Sequence, residues 1–223
     1  MYIVQFIPLD IAFSILNEYS TFCLRNITYF RNLEEQYDNK VTGDKKENIV
    51  EFHENRRSYE LLAATLITCW TKLSSDCLNP SDWGIFDDRA NGIAIVSTVE
   101  CVRDFLLRET EHILEKKVWH LEHREVQYYD GFCHPPAFET MTAPFWKRKR
   151  YEKQREYRFA FLASSIRRID TLIFFTRDPK AYIKKIYFGP SMEESSKHKL
   201  LAQAIGGELA GLIEHFDDMF KKG

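Results

Sequence analysis

Glu156 is the carboxylate whose surroundings in the sequence best suit chemistry. It opens the alternating segment EYRFAFLA (156–163), which predicts a strand, and a basic run precedes it. Nearby positive charge favours the ionised form of a carboxylate. An ionised Glu156 could accept a hydrogen bond from a substrate hydroxyl or stabilise a developing oxocarbenium ion. The structural alternative is a cross-strand ion pair between Glu156 and Arg158 or another base.

The basic run before Glu156 suits nucleic acid. Four consecutive basic residues stand between two aromatic residues in the segment FWKRKRY (145–151). Positive charge attracts a phosphate backbone, and aromatic rings stack on bases. We therefore consider a nucleic-acid-binding site made of Trp146, Lys147, Arg148, Lys149, Arg150 and Tyr151. An ordinary solvated loop has the same composition and fits the segment equally well.

Arg25 and Trp83 are two further candidates for a ligand contact. An inward-facing guanidinium at Arg25 would grip a phosphate or carboxylate through two parallel hydrogen bonds. Trp83 precedes the predicted strand GIAIVS (92–97), and its ring could stack on a base or a nicotinamide. The structural alternatives are an edge strand with solvent-reaching arginines and a tryptophan that anchors a loop to the core.

A metal site has little support in the sequence. Asp44 and Glu47 lie in a charged run that is typical of a solvated surface or of a mobile loop over a site. A metal nuclease would need them together with a third carboxylate such as Asp82, and nothing in their spacing requires that. His120 and His123 point to opposite faces if they lie on one strand. We predict no metal site.

Several function classes are excluded by missing motifs. The sequence contains no Walker loop and no G-x-G-x-x-G, H-E-x-x-H or G-x-S-x-G motif. The formal net charge of -2 argues neither for nor against nucleic acid. No apolar run approaches the roughly 20 residues that span a bilayer. The five cysteines include no C-x-x-C pair and fit reduced thiols, so we expect a cytoplasmic protein.

The order of predicted elements favours one α+β domain over residues 1–223. Hydrophobic residues make up 44% of the chain, which allows a sizeable core. The predicted strands and helices occur without strict alternation. Strands are predicted at 2–7, 22–30, 65–72, 92–97, 118–130, 156–163, 170–176 and 184–189, and helices at 9–18, 54–64, 98–117 and 191–205.

A series of short motifs follows a recognisable order along about residues 20–192. They are F-R-x-x-E (30–34), G-D-x-x-E (43–47), C-W-T (69–71), W-G (83–84), G-I-A-I (92–95), F-W-K (145–147), Y-E-x-x-x-E-Y-R (151–158) and I-Y-F-G-P (186–190). This order resembles a large bacterial and phage-borne family that is known only as a domain of unknown function. Its members tend to occur among mobile and phage-defence genes.

The layout of that family is similar to ADP-ribosyltransferase-like folds, in which a split sheet grips NAD. The resemblance implies a mixed or antiparallel split sheet with flanking helices and NAD as the cofactor. Arg25 would hold the NAD phosphates, and Glu156 would be the catalytic acid. Trp70, Thr71 or Trp83 would line the nicotinamide pocket. The expected role is a transferase or toxin in conflict between phage and bacterium, with a nucleic acid or a protein as acceptor.

The sequence also departs from ADP-ribosyltransferases. It has no H-Y-E arrangement and no clear S-T-S strand, and Gln154 stands where the first carboxylate of the E-x-E pair would be. Two other functions remain open: a nucleic-acid-associated effector without NAD chemistry, and a non-catalytic interaction or inhibitor module. The transferase predicts a pocket lined by Arg25, Trp83 and an ionised Glu156. The non-catalytic module predicts Glu156 paired into the core.

Overall fold

The computed structural model describes residues 1–16, 20–27, 64–84, 90–111, 113–114, 119–129, 143–163, 169–206 and 209–214. Across these ranges the chain is α+β, as expected, and a largely antiparallel sheet of nine strands is its main element. The loop carrying Asp44 and Glu47 and the predicted helix at 54–64, except for Ala64, lie outside the described residues. So do the motifs at 30–34 and 43–47.

The described chain contains short strands and few helices. The strands are β1 (Tyr2–Ile7), β2 (Ser20–Asn26), β3 (Leu66–Lys72), β4 (Ile93–Thr98), β5 (Trp119–Glu125), β6 (Gln127–Tyr129), β7 (Trp146–Arg148), β8 (Glu156–Ala163), β9 (Thr171–Thr176), β10 (Lys185–Phe188) and β11 (Ile213–Glu214). The α-helices are α1 (Leu9–Ile15), α2 (Pro80–Trp83), α3 (Val99–Thr110) and α4 (Glu194–Gly206). Single 3-10 turns occupy Ala143–Phe145, Lys149–Gln154, Pro179–Ala181 and Ala210–Leu212.

Helix α3 shows how local sequence sets an element. The hydroxyl of Thr98 accepts a hydrogen bond from the backbone N–H of Cys101 at 3.2 Å, so Thr98 is the N-cap. Ser97 and Glu100 have capping-box spacing in the sequence, which predicts Ser97 as the cap, but Ser97 donates its hydroxyl to the carbonyl of Tyr182 in the core. Val102 and neighbouring apolar residues are buried along one side of the helix. The helix ends at Thr110, earlier than predicted.

One edge of β3 is shared by two strands. Strand β8 pairs with β3 along Leu66–Thr71 and occupies one edge. On the other edge, β1 pairs only at Thr71 and Lys72, whereas β2 pairs only at Leu66 and Ile67. Between these two ladders the side-chain amide of Gln5 donates to the Thr68 hydroxyl at 3.2 Å and to the Cys69 carbonyl at 3.4 Å. We call this the divided edge of β3.

The divided edge joins two halves of the sheet. From β1 the sheet continues through β4 and β10 to β11, and from β2 it continues to β9. Beyond β8 lies β5, which pairs with it along its whole length. Strands β6 and β7 form a separate parallel pair beside this region. Strand β3 therefore contacts every branch of the sheet.

The two faces of the sheet are covered differently. The main core lies on one face, where α1, α3 and α4 pack on residues such as Ile3, Trp70 and Phe159. The second face carries two smaller clusters, one around Val4 and Trp83 and the other around residues including Phe145. Because side chains alternate along a strand, Glu156 belongs to this second face and Trp70 to the helix-covered face.

Candidate functional site

Glu156 lies at the centre of a buried group of charged side chains. The Nε of Arg158 donates to Oε1 of Glu156 at 2.8 Å, and the Nη2 of Arg158 donates to Oε2 at 3.2 Å. The ammonium group of Lys147 donates to the same Oε2 at 3.0 Å and to Oε1 of Gln154 at 2.7 Å. With Cys69, these residues form what we call the Glu156 cluster.

The sheet and the segment before β8 build the cluster together. Glu156 and Arg158 are two positions apart on β8, so both side chains point to the same face. Directly across on β3, Thr71 opposes Glu156 and Cys69 opposes Arg158. Strand β7 supplies Lys147, and the following 3-10 turn supplies Gln154. Arg158 is further fixed by a hydrogen bond from Nη1 to the carbonyl of Pro144 at 2.6 Å.

Charge compensation decides the ionisation of Glu156. Burial alone would raise the pKa of this carboxyl, but the charges of Arg158 and Lys147 outweigh it, with hydrogen bonds from Arg158 adding to them. The pKa of Glu156 is therefore held well below its usual range. Burial and the charge of Glu156 raise the pKa of the Cys69 thiol, so Cys69 stays protonated beside the carboxylate.

Most of the hydrogen-bonding capacity of the carboxylate is used. An ionised carboxylate offers about four lone-pair positions. Two N–H groups of Arg158 and the ammonium of Lys147 occupy three of them. A substrate hydroxyl could therefore bond Glu156 at the remaining position without displacing a donor.

Arg25 and Thr71 lie on the same face as Glu156, at different distances. Thr71 is buried and directly opposite Glu156 in the β3–β8 ladder. Arg25 lies on β2 opposite Ile67, further along β3 and on its other side. With strand spacings near 4.8 Å and a rise near 3.3 Å per residue, the Cα atoms of Arg25 and Glu156 are on the order of 16 Å apart. The structure thus brings Thr71, but not Arg25, next to the carboxylate.

The two tryptophans assigned to a nicotinamide pocket are both core residues. Trp70 is 2% exposed on the helix-covered face, opposite to the face that carries the Glu156 side chain. Trp83 is also 2% exposed and packs edge-on against Phe6, with ring centroids 5.0 Å apart. Neither indole N–H has a hydrogen-bond partner within the described part of the chain. Trp83 therefore anchors α2 to the sheet, and the Trp70 ring lies on the face opposite to the carboxylate.

The basic run divides into an inward and an outward part. Lys147 is only 8% exposed and serves the Glu156 cluster, so it is not part of a surface track, contrary to the expectation from sequence. The next three residues, Arg148 to Arg150, are exposed.

The aromatic residues that flank the run pack against neighbouring side chains. Trp146 lies edge-on to Tyr129, with ring centroids 6.4 Å apart. The ring of Tyr151 lies 4.7 Å from Nζ of Lys147 and 5.2 Å from Cζ of Arg150. Each of the two rings therefore packs against at least one other side chain.

Two features of the site were not singled out from sequence. The hydroxyl of Tyr128 accepts a hydrogen bond from the backbone N–H of Glu156 at 2.8 Å, and the Cys69 thiol lies beside its carboxylate. Both come from strands distant from β8 in the sequence, so no local pattern could have revealed them. Asp82 bonds Arg155 at 2.9 Å instead of joining other carboxylates. No group of three potential metal ligands occurs among the residues the structure describes.

Comparison with known proteins adds no relative. No family model, no curated protein and no solved structure matches the chain. None of the helices in the described ranges has the length and apolar character that crossing a membrane requires.

Proposed function

We propose that this protein is an NAD-using transferase with an ADP-ribosyltransferase-like fold, in which Glu156 is the catalytic carboxylate. One observation carries the proposal: Arg25, Thr71 and Glu156 lie on the same face of the neighbouring strands β2, β3 and β8. An early arginine, a middle threonine and a late glutamate follow the order that the resemblance in the sequence implies. Thr71 takes the middle position, and neither Trp70 nor Trp83 is used.

The divided edge of β3 supports the same proposal. The β1 and β2 branches leave one edge of β3 at its two ends, and among the described residues the amide of Gln5 bridges the gap that the ladders leave. A sheet that splits at its central strand is the architecture in which such transferases hold NAD. The fold supports the activity only by analogy.

The proposed chemistry begins with an ionised Glu156. A hydroxyl of the nicotinamide ribose takes the remaining hydrogen-bonding position of the carboxylate. The bond between nicotinamide and ribose then breaks, nicotinamide leaves with the electron pair, and Glu156 stabilises the cationic ribose. The acceptor finally forms the new bond to the ribose carbon that nicotinamide left and releases its proton to water. The positive charge of Lys147 would repel the cationic ribose. We therefore propose that the Lys147 ammonium group moves away from Glu156 towards Gln154, to which it already donates a hydrogen bond.

The deciding experiment measures NAD binding by calorimetry and nicotinamide release by chromatography. Arg25→Ala should weaken NAD binding, whereas Glu156→Asp should abolish nicotinamide release while keeping the negative charge that the fold requires. Arg103→Ala is the matched control, because Arg103 is paired with Asp104 at 2.7 Å on helix α3, away from the site. Absence of binding at millimolar NAD would overturn the proposal.

A nucleic-acid effector is the second candidate, and the exposure of Arg148, Lys149 and Arg150 favours it. Binding through these side chains would release counterions and weaken as salt rises. Changing all three to Gln should flatten the salt dependence for a single-stranded oligonucleotide. Lys147→Met should leave the salt slope unchanged, since Lys147 is buried. Equal slopes for the wild type and the triple variant would exclude this surface.

The non-catalytic module is favoured by one observation as well, the pairing of Glu156 with Arg158 and Lys147 in the interior. Under that function the carboxylate holds the fold and touches no substrate. The Glu156→Asp variant would then be less stable than the wild type, and neither protein would release nicotinamide from NAD. Nicotinamide release by the wild-type protein would exclude the module.

A further inference from the structure

A pocket lies at the end of the sheet, where β3 and β5 finish and β8 begins. Its volume is about 260 Å³, and its walls include Lys72, Glu125, Tyr128, Glu152 and Arg155. Pockets for drug-sized ligands begin at roughly 300 Å³, so this one suits a smaller molecule. We call it the strand-end pocket.

The charges around the strand-end pocket are almost all compensated. Lys72 donates to Glu125 at 2.6 Å, and Arg155 donates to Asp82 at 2.9 Å. Glu156, which also borders the pocket, is neutralised by its own cluster. No cation in the pocket wall therefore lacks a carboxylate partner among the described residues. This argues against a phosphate or carboxylate ligand.

Two polar groups in the wall stand outside its ion pairs. The Tyr128 hydroxyl oxygen accepts the backbone N–H of Glu156 at 2.8 Å, but its hydrogen has no acceptor within the described ranges. Burial raises the pKa of Tyr128, so the hydroxyl keeps this hydrogen. Glu152 is exposed, and its carboxylate has no hydrogen-bond or ion-pair partner in the described part of the chain. Besides its ion pairs, the pocket thus offers a donor at Tyr128 and an acceptor at Glu152.

The rim of the pocket is held in an uncommon backbone conformation. Arg155 has φ 44°, in the left-handed region that residues other than glycine rarely occupy. Its N–H donates to the carbonyl of Glu152 at 3.0 Å, and its carbonyl accepts the N–H of Lys72 at 2.9 Å. Such conformations persist where surrounding contacts enforce them, and they concentrate at binding sites. Here the conformation fixes Glu152 and the start of β8 relative to one another.

We propose that the strand-end pocket binds the vicinal diol of a neutral sugar ring, as in the ribose of a nucleoside. A hydroxyl both donates and accepts, so one hydroxyl of a diol takes the hydrogen of Tyr128 while its neighbour donates to Glu152. The balanced charges of the wall suit an uncharged ring. A furanose also fits the volume, with the base lying outside. This site does not depend on NAD cleavage.

The test titrates adenosine and 2′,3′-dideoxyadenosine into the full-length protein by calorimetry. Adenosine should bind, and the dideoxy analogue should bind at least about tenfold more weakly, because it lacks both hydroxyls. Glu152→Gln and Tyr128→Phe should each weaken adenosine binding by about 5- to 10-fold. The control variants Glu193→Gln and Tyr2→Phe, on exposed positions elsewhere, should not.

Glu152→Gln keeps the test valid if Tyr128→Phe impairs folding, since Glu152 is exposed and unpaired in the described structure. Equal affinity for the two nucleosides, or adenosine binding unchanged by Glu152→Gln, would overturn the proposal. So would no adenosine binding at millimolar concentration. AMP should bind no more tightly than adenosine. A tenfold gain with AMP that persists in Arg25→Ala would make an anion the ligand of this pocket and overturn the diol.

Discussion

The ammonium group of Lys147 lies 3.0 Å from Oε2 of Glu156, and both side chains are buried. This contact ties the basic segment before β8 to the strand itself. It also shows that Lys147 is an interior residue, although the basic run that contains it looks like a surface feature in the sequence. Substitution of either residue therefore leaves the other charge buried without this partner.

Glu156→Gln should destabilise the fold. Without the carboxylate charge, Lys147 and Arg158 remain buried with less compensation, and breaking such pairs costs about 3 kcal/mol or more. Urea unfolding followed by fluorescence measures the change. Glu152→Gln, which alters an exposed carboxylate nearby, should change the free energy of unfolding by no more than about 0.5 kcal/mol. Similar values for the two variants would contradict the buried cluster.

The effect of Glu156 should depend on pH. Because its pKa is depressed in the folded state, its contribution to stability is complete above the unfolded-state pKa, near 4.5, and is lost as the pH falls below that value. The difference in unfolding free energy between wild type and Glu156→Gln should therefore shrink between about pH 6 and about pH 3. A constant difference over that range would show that folding does not lower the pKa of Glu156.

Glycine at position 155 should be tolerated better than alanine. Both Arg155→Gly and Arg155→Ala remove the ion pair with Asp82, so the pair cancels in the comparison. Only glycine adopts the left-handed conformation without a steric penalty, which is about 1 kcal/mol for other residues. Thermal unfolding should therefore rank the glycine variant higher. The reverse order would mean that residue 155 has an ordinary backbone conformation.

The thiol of Cys69 should resist alkylation in the folded protein. Burial and the charge of Glu156 raise its pKa, so little thiolate exists at about pH 8. Mass spectrometry after iodoacetamide treatment should find Cys69 unmodified until urea unfolds the chain. In Glu156→Gln, where one cause of the raised pKa is gone, Cys69 should react faster than in the wild type. Rapid alkylation of the folded wild type would contradict the contact.

Local patterns in the sequence predicted many of the elements. Alternating or apolar runs located β1, β3 and β8 to within one residue, because burial on one or both faces of a sheet imposes those patterns. Helix ends were predicted less well. α1 ends at Ile15 and α3 at Thr110, both before the predicted ends, since a helix stops where its packing partners stop and not only where a cap residue stands.

Pairing and side-chain direction were not predictable. No local pattern indicates that β3 would pair with β8, or that Thr71 would face Glu156, because such contacts join distant segments. The direction of Lys147 depends on the short pairing of β7 with β6, which only the fold supplies. The sequence indicated Glu156 as a candidate catalytic residue. It also indicated the alternative, an ion pair between Glu156 and Arg158. The structure shows that ion pair, while the catalytic role remains a proposal.

The pairing of β3 on both edges has a consequence for how the chain is made. During synthesis β1, β2 and β3 emerge early, whereas β8 emerges only after residue 155. Until then the Leu66–Thr71 edge of β3 has open hydrogen-bonding groups in what becomes the middle of the sheet, and open edges of this kind recruit other chains. Fragments that stop before β8 should therefore aggregate, and chaperones should engage the nascent chain until the last third is released.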